Sequence, residues 1–161
     1  MLNAAPAQAL PADLLQAVDI LVVNEGELAT VAQHDGSIAA CLERIQVPTV
    51  VVTLGHRGCC ARVHGAWVLQ SAYPVTPVDT TAAGDTFCGT LVAALSQGTD
   101  MAQALRNASA AGALACTRLG AQSSIPAAAE VTALVARHGG SADVNTAPAH
   151  TALRAYCGLC V

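Results

Sequence analysis

Short apolar runs alternate along this chain with stretches whose apolar residues recur at helical spacing, and that alternation sets the expected fold. Asp19–Val23 is a short apolar run fit for a buried parallel strand ending at Asn24. Ser37–Ile45 carries Ile38, Leu42 and Ile45 at helical spacing, with Gly36 before it and Ser37 as its cap. Pro48 ends that pattern, and Thr49–Leu54 is a β-branched strand. Cys60–Val63 and Ala66–Leu69 flank His64-Gly65, a hairpin turn. Pro74 and Pro77 keep the next segment extended. From Asp85 onward Phe87, Leu91 and Leu95 recur at i, i+4 and i+8, predicting a helix over 85–97. A second helix is predicted over 101–117, after Gly98 and the capping pair Thr99-Asp100. Pro126 opens a last helix ending near His138. Strands alternating with helices predict an α/β fold with a mostly parallel sheet and one small antiparallel hairpin. After Gly139 the chain turns small and polar, so 139–161 is expected to be an unassigned, poorly ordered tail.

The segment with the most chemistry lies at the mouth of the 85–97 helix. Val78-Asp79-Thr80-Thr81-Ala82-Ala83-Gly84-Asp85-Thr86-Phe87-Cys88-Gly89 places small residues and a carboxylate there. Ala82, Ala83 and Gly84 have little side-chain bulk, so their backbone N–H groups can come close to an anion. A helix N-terminus presents unpaired N–H groups and the positive end of its dipole. A carboxylate beside it can take a proton from an attacking hydroxyl. An anion cradle next to a base is what phosphoryl transfer to an alcohol requires. A capping Asp after a Gly-containing turn is the plain structural reading of a Gly-Asp pair taken alone.

The whole Val78–Gly89 segment resembles the second signature of the ribokinase-like sugar kinases. Three further segments resemble that family in the same order and spacing: Asn24-Glu25-Gly26-Glu27, Val51–Gly58, and Thr117-Arg118-Leu119-Gly120-Ala121-Gln122-Ser123-Ser124-Ile125-Pro126. The likeness runs from about Leu2 to about His138, so 1–138 is expected to be one kinase-domain portion. The resemblance implies a three-layer α/β sandwich, truncated at the N-terminus, and an ATP-dependent carbohydrate kinase. Asp85 would be the general base. Ala82, Ala83 and Gly84 would form the anion hole. Asn24 and Glu27 would act on the phosphate and Mg²⁺ side, and Thr53, Gly55, Gly58 and Ser109 would line the nucleotide site. Asp79 and Ser124, with the backbone of Thr81, Ala115, Arg118 and Gly120, would surround a potassium-like K⁺ ion. Asn107 is out of register for the adenine contact. The implied ligands are ATP, Mg²⁺, K⁺ and a small sugar, with ribose favoured by the Ala82–Asp85 form and by Thr117–Pro126. Family members are about twice as long, so the sugar-recognition motifs and a β-lid are expected before Met1.

Composition narrows the remaining classes. The 161 residues are 53% hydrophobic, 11% charged and 2% aromatic, with a mean hydropathy of +0.49. Charged residues usually make up about a quarter of a soluble domain, so the low value fits a portion whose inner faces expect cover. A net charge of −4 without a basic cluster argues against a nucleic-acid partner. No apolar run nears the roughly 20 residues of a membrane span, and no basic segment precedes an apolar one at the start, so cytoplasm is the default. Seven cysteines form no regular framework; Cys157-Gly-Leu-Cys160 is an isolated CxxC without the second pair that zinc needs. No Walker-type loop and no G-x-G-x-x-G is present. Two readings stand: a sugar kinase using Asp85, and a non-catalytic nucleotide-binding fragment or one half of a split kinase. Uncovered sheet faces would favour a homodimer or a separate N-terminal half.

Overall fold

The computed structural model describes residues 1–138 and 148–159, and the chain divides into two compact units. The first combines Met1–Ser71 with the C-terminal segment, and the second begins at Ala72. In chain order the strands are β1 (Leu2–Asn3), β2 (Ile20–Asn24), β3 (Thr49–Thr53), β4 (Gly58–Val63) and β5 (Ala66–Ser71). The helices are α1 (Ala12–Gln16), α2 (Glu25–Ala32), α3 (Ile38–Glu43), α4 (Ala83–Ser96), α5 (Met101–Ala115), α6 (Ala128–Arg137) and α7 (Pro148–Tyr156).

The first unit holds one five-stranded sheet in the order β1-β2-β3-β4-β5. It is parallel across β1, β2 and β3 and antiparallel across β3, β4 and β5. Val50, Val51 and Val52 of β3 are all fully buried, which is why this strand is an unbroken β-branched run instead of an alternating one. The β4–β5 hairpin turns at His64 and Gly65, both with positive φ (46° and 87°), as a two-residue turn of matching twist requires. Ser37 caps α3 as expected, its Oγ accepting the Ala40 N–H at 3.2 Å. From β4, Arg62 reaches three carbonyls at and beyond the end of α3: Nη1 donates to Leu42 O at 2.8 Å, which also accepts the Ile45 N–H at 3.2 Å, and Nη2 donates to Ile45 O at 2.8 Å and Val47 O at 3.0 Å.

The expectation of a poorly ordered tail fails for 148–159. Residues Pro148–Tyr156 form α7, and Leu153 and Cys157 are buried in one cluster with Leu21, Leu42, Val50 and Cys60. The Ala39 N–H donates to Cys157 O at 3.0 Å, tying the end of α7 to α3. Leu153 and Cys157, four residues apart, give α7 its apolar stripe. The hydrogen bond to Cys157, then burial, pushes the Cys60 thiol far above its ordinary range, which keeps it an inert core residue. Of the CxxC pair, Cys160 lies outside the described residues, as do 139–147.

His150 on α7 is 1% exposed, and neither ring nitrogen has a hydrogen-bond partner among the described residues. Burial, helped by Arg154, holds its pKa below the ordinary 6.5. The folded state therefore keeps His150 neutral while the unfolded chain takes a proton at 6.5. Its contribution is complete above that pH and is lost as pH falls toward the depressed folded value. Trp67 of β5 packs against the same cluster. We expect its fluorescence to report loosening of α7 below pH 6.5 in the wild type, and much less in His150→Phe.

The second unit is helical. α4 buries Phe87 and Leu91 of the predicted stripe, together with Ala94, while Leu95 is only half-buried, and the helix starts two residues earlier than the 85–97 pattern. Asp100 caps α5, its Oδ1 accepting the Gln103 N–H at 2.9 Å. The buried face of α5 is almost all alanine: Ala104, Ala108, Ala110, Ala111 and Ala115. Such small residues let helices approach closely. At Gly112 an added Cβ would lie only 3.3 Å from the Ala83 carbonyl oxygen. No described helix is long and apolar enough to cross a membrane.

Candidate functional site

The residues singled out by sequence are divided between the two units. In the first unit, β2 and β3 are parallel neighbours and end together, with Asn24 paired to Thr53. In open α/β sheets, ligands gather at such carboxyl ends. Asn24 caps α2: its Oδ1 accepts the Glu27 N–H at 2.9 Å, and Glu27 Oε2 accepts the Asn24 N–H at 2.7 Å. This reciprocal capping box uses one Glu27 oxygen and leaves Oε1 outside the box. The Thr53 hydroxyl donates to Val23 O at 3.4 Å. After β3 a short 3-10 turn, Gly55–Arg57, opens at Gly55 with φ +56° and closes on Gly58 with φ +111°. Only glycine adopts both without strain. The Leu54 N–H donates to Gly58 O at 2.8 Å and holds the turn shut.

In the second unit Asp79 organises two backbone segments. Its Oδ1 accepts the Thr81 N–H at 2.9 Å, and its Oδ2 accepts the Gly120 N–H at 3.0 Å. Bonding to Thr81 first, and to the Gly120 amide, holds its carboxyl below the usual carboxylate range, so it stays charged. The N–H groups of Val78 and Asp79 both donate to Cys116 O, at 2.7 and 3.1 Å, drawing 78–81 against 115–120. The Ala115 carbonyl accepts the Arg118 N–H at 3.3 Å, while the Arg118 side chain pairs with Glu130. Ser124 is fully buried, its hydroxyl donating to Ala121 O at 2.8 Å. Carboxylate, carbonyl and hydroxyl oxygens predominate here, the donor set that suits a hard cation.

The same loop leads into α4. Ala82 stands at its N-cap in the left-handed region, φ 58°, and no side chain caps the helix. The Ala83 N–H donates to Thr80 O at 3.2 Å, whereas the N–H groups of Gly84 and Asp85 have no acceptor among the described residues. Asp85 is exposed and, with Ala82, Thr86, Gly89, Asn107 and Gln122, lines a cleft of about 670 Å³. Thr86 is 7% exposed, yet its hydroxyl has no partner among the described residues. A buried orphan hydroxyl on a cleft wall is an invitation to a ligand acceptor. Sequence reasoning passed over Thr86, although it lies inside the signature. It also preferred Ser109 to Asn107. The structure puts Asn107 on the cleft wall, its Oδ1 accepting from Gln103 Nε2 at 2.9 Å, while Ser109 is not among the cleft residues.

Residues 1–128 match the family described as pfkB family carbohydrate kinase. The chain is 38% identical over 133 residues to a ribokinase of Haemophilus influenzae, covering 78% of this chain and 44% of that protein. It is 39% identical over 139 residues to a ribokinase of Staphylococcus aureus, covering 81% and 46%. The structure is similar to ribokinase from Thermotoga maritima, with a TM-score of 0.75 at 36% identity, over 83% of this chain and 48% of that one. Arabidopsis thaliana ribokinase, complexed with ribose and ATP, gives 0.75 at 31% identity, over 83% and 46%. A Vibrio cholerae fructokinase double mutant holding fructose, ADP and a potassium ion gives 0.71 at 31% identity, over 76% and 42%. The chain thus spans about half the length of the relatives it matches.

Proposed function

Because the chain belongs to the pfkB family of carbohydrate kinases, we propose that it supplies the nucleotide side, the anion cradle and the base of an ATP-dependent sugar kinase. The sugar is ribose, a choice supported by the ribokinase relatives. The observation that carries this reading is the start of α4: a helix without a side-chain cap, two open N–H groups, and Asp85 at the same mouth. Asp85 takes the proton from the sugar hydroxyl as that oxygen attacks the terminal phosphorus of ATP. The Gly84 and Asp85 amides, at the positive end of the α4 dipole, hold the charge on the transferring group. Ala82 and Ala83 keep side-chain bulk away from it. Such transfer asks mainly for positioning and neutralisation.

Asn24 and Glu27 stand on the phosphate and metal side of the reading. Glu27 Oε1 is the oxygen available to a hydrated Mg²⁺, whose role is to offset phosphate charge. Asp79, Ser124 and the backbone of Thr81, Ala115, Arg118 and Gly120 are oxygen donors that fit K⁺. A monovalent ion there adds positive charge beside the anion cradle.

The test is ADP formation by purified chain with ATP, Mg²⁺ and ribose. Ribose-dependent ADP, faster in potassium than in sodium, is the expected result. Equal rates in the two salts would remove the cation site. A specific observation favours a second reading: the chain covers only 44% and 46% of the two bacterial ribokinases. In that case ADP forms only after a pfkB N-terminal half is added, and the chain alone binds nucleotide without turnover.

A further inference from the structure

The match to the family ends at residue 128, so α7 is an element that the family description does not cover. Its place is fixed by the core. Leu153 and Cys157 are 3% and 0% exposed, and the helix end is bonded to Ala39. Gly158, at φ +79°, sits where any Cβ would come within 2.7 Å of Ser37 Cβ. A helix seated so firmly delivers its last residue, Tyr156, to a set position.

There Tyr156 touches both turns at the carboxyl ends of β2 and β3. Its hydroxyl donates to Glu25 Oε1, inside the Asn24–Glu27 motif. Its ring lies under the Arg57 guanidinium, 4.2 Å from the centroid, and Arg57 closes the Gly55–Gly58 turn. The backbone of that turn is already closed by the Leu54–Gly58 bond, so what the ring adds is a hold on the Arg57 side chain. Tyr156 thus meets opposite charges at once, Glu25 through its hydroxyl and Arg57 through its ring face. Glu25 is occupied by a neutral O–H donor, and Arg57 makes no ion pair among the described residues. Without the ring, Arg57 and Glu25 are free to neutralise each other. With it, the guanidinium is held in place with its charge still available to an anion.

We propose that Tyr156 is a positioning residue for nucleotide binding: it braces Arg57 over the Gly55–Gly58 turn and keeps it unpaired from Glu25, so that Arg57 meets the ATP phosphates. This rests on the nucleotide-side reading of Asn24, Thr53, Gly55 and Gly58.

Calorimetric titration of ATP·Mg²⁺ into the full chain tests it, with Tyr156→Phe, Tyr156→Ala, Arg57→Gln and the Tyr156→Ala/Arg57→Gln double variant. Tyr156→Ala and Arg57→Gln should each weaken ATP binding by at least about 2- to 5-fold, the scale of one exposed cation–ring contact. The double variant should be no weaker than Arg57→Gln, because Tyr156 acts through Arg57. Tyr156→Phe, which keeps the ring and loses the bond to Glu25, should fall between wild type and Tyr156→Ala and also guards against misfolding of the alanine variant. Wild-type affinity in both Tyr156 variants, or losses that multiply in the double variant, would overturn the positioning role while leaving the nucleotide site standing. Absence of ATP binding by the wild-type chain would overturn the nucleotide-side reading and this role with it. Hydrogen exchange at 55–58 supplies the separate structural readout: faster exchange in Tyr156→Ala with unchanged ATP affinity would reduce Tyr156 to a fold contact.

Discussion

Asp85→Asn is expected to cut ribose-dependent ADP formation by about 10²- to 10⁴-fold, the usual worth of a positioned general base. ATP binding should stay near the wild-type level. The asparagine keeps the size and polarity of the side chain in the first turn of α4, so the helix start and its two open amides persist. Only the ability to accept the hydroxyl proton is lost. Removing a negative charge from the phosphate side would, if anything, tighten ATP slightly. Side-by-side turnover and ATP titration separate the two effects. Unchanged turnover would remove Asp85 from the mechanism, and a parallel collapse of ATP binding would recast it as a binding residue.

The largest effect on stability is expected at Arg62. Its guanidinium satisfies three carbonyls, those of Leu42, Ile45 and Val47, where α3 ends and the chain turns toward β3. Charge-assisted bonds of this kind are each worth about 1.5–3 kcal/mol; Leu42 O keeps the Ile45 N–H at 3.2 Å, whereas the Ile45 and Val47 carbonyls, stripped of the guanidinium, keep part of their desolvation cost. Leu42, Ile45 and Val47 are themselves 0–3% exposed, so water cannot easily take the place of the guanidinium. Arg62→Met keeps the aliphatic stem and should cost about 3–5 kcal/mol, taking the melting temperature down by about 10 °C. Arg62→Lys should recover less than half, because one ammonium cannot reach three acceptors in a fork. Urea unfolding at neutral pH measures both. A loss under about 1 kcal/mol for Arg62→Met would mean that water satisfies these carbonyls after all.

The elements legible in the sequence were those whose signals are local. Ser37 and Asp100 are side-chain caps, His64-Gly65 is a turn dictated by backbone twist, and Val50–Val52 announce a buried strand. The elements that escaped depend on distant partners or on weak signals. β1 is two residues long and exists only through its pairing with Leu21 and Val22. α2 was hidden by reading Asn24–Glu27 for its chemistry, although Asn24 followed three residues later by Glu27 is a capping box in plain view. α7 lies in a polar, small-residue stretch. Only Pro148 at its first turn and the Leu153/Cys157 spacing betray it. The candidate site shows the same division. The signature pointed to the start of α4, but no local pattern reveals that Thr86 would be buried without a partner. Likewise nothing near Tyr156 in sequence says that it meets Glu25 and Arg57.

The first unit is discontinuous: it needs Met1–Ser71 and, more than seventy residues later, the segment that bears Leu153 and Cys157. A ribosome makes the sheet first, then the whole of the second unit, and last the helix that plugs the sheet's core. At synthesis rates of about 5–20 residues per second, the half-covered sheet must wait several seconds with apolar surface open. The contiguous second unit has no such wait. The interval between these two events is the period in which chaperones have most to hold, and a stop codon placed anywhere before Leu153 would make that exposed state permanent.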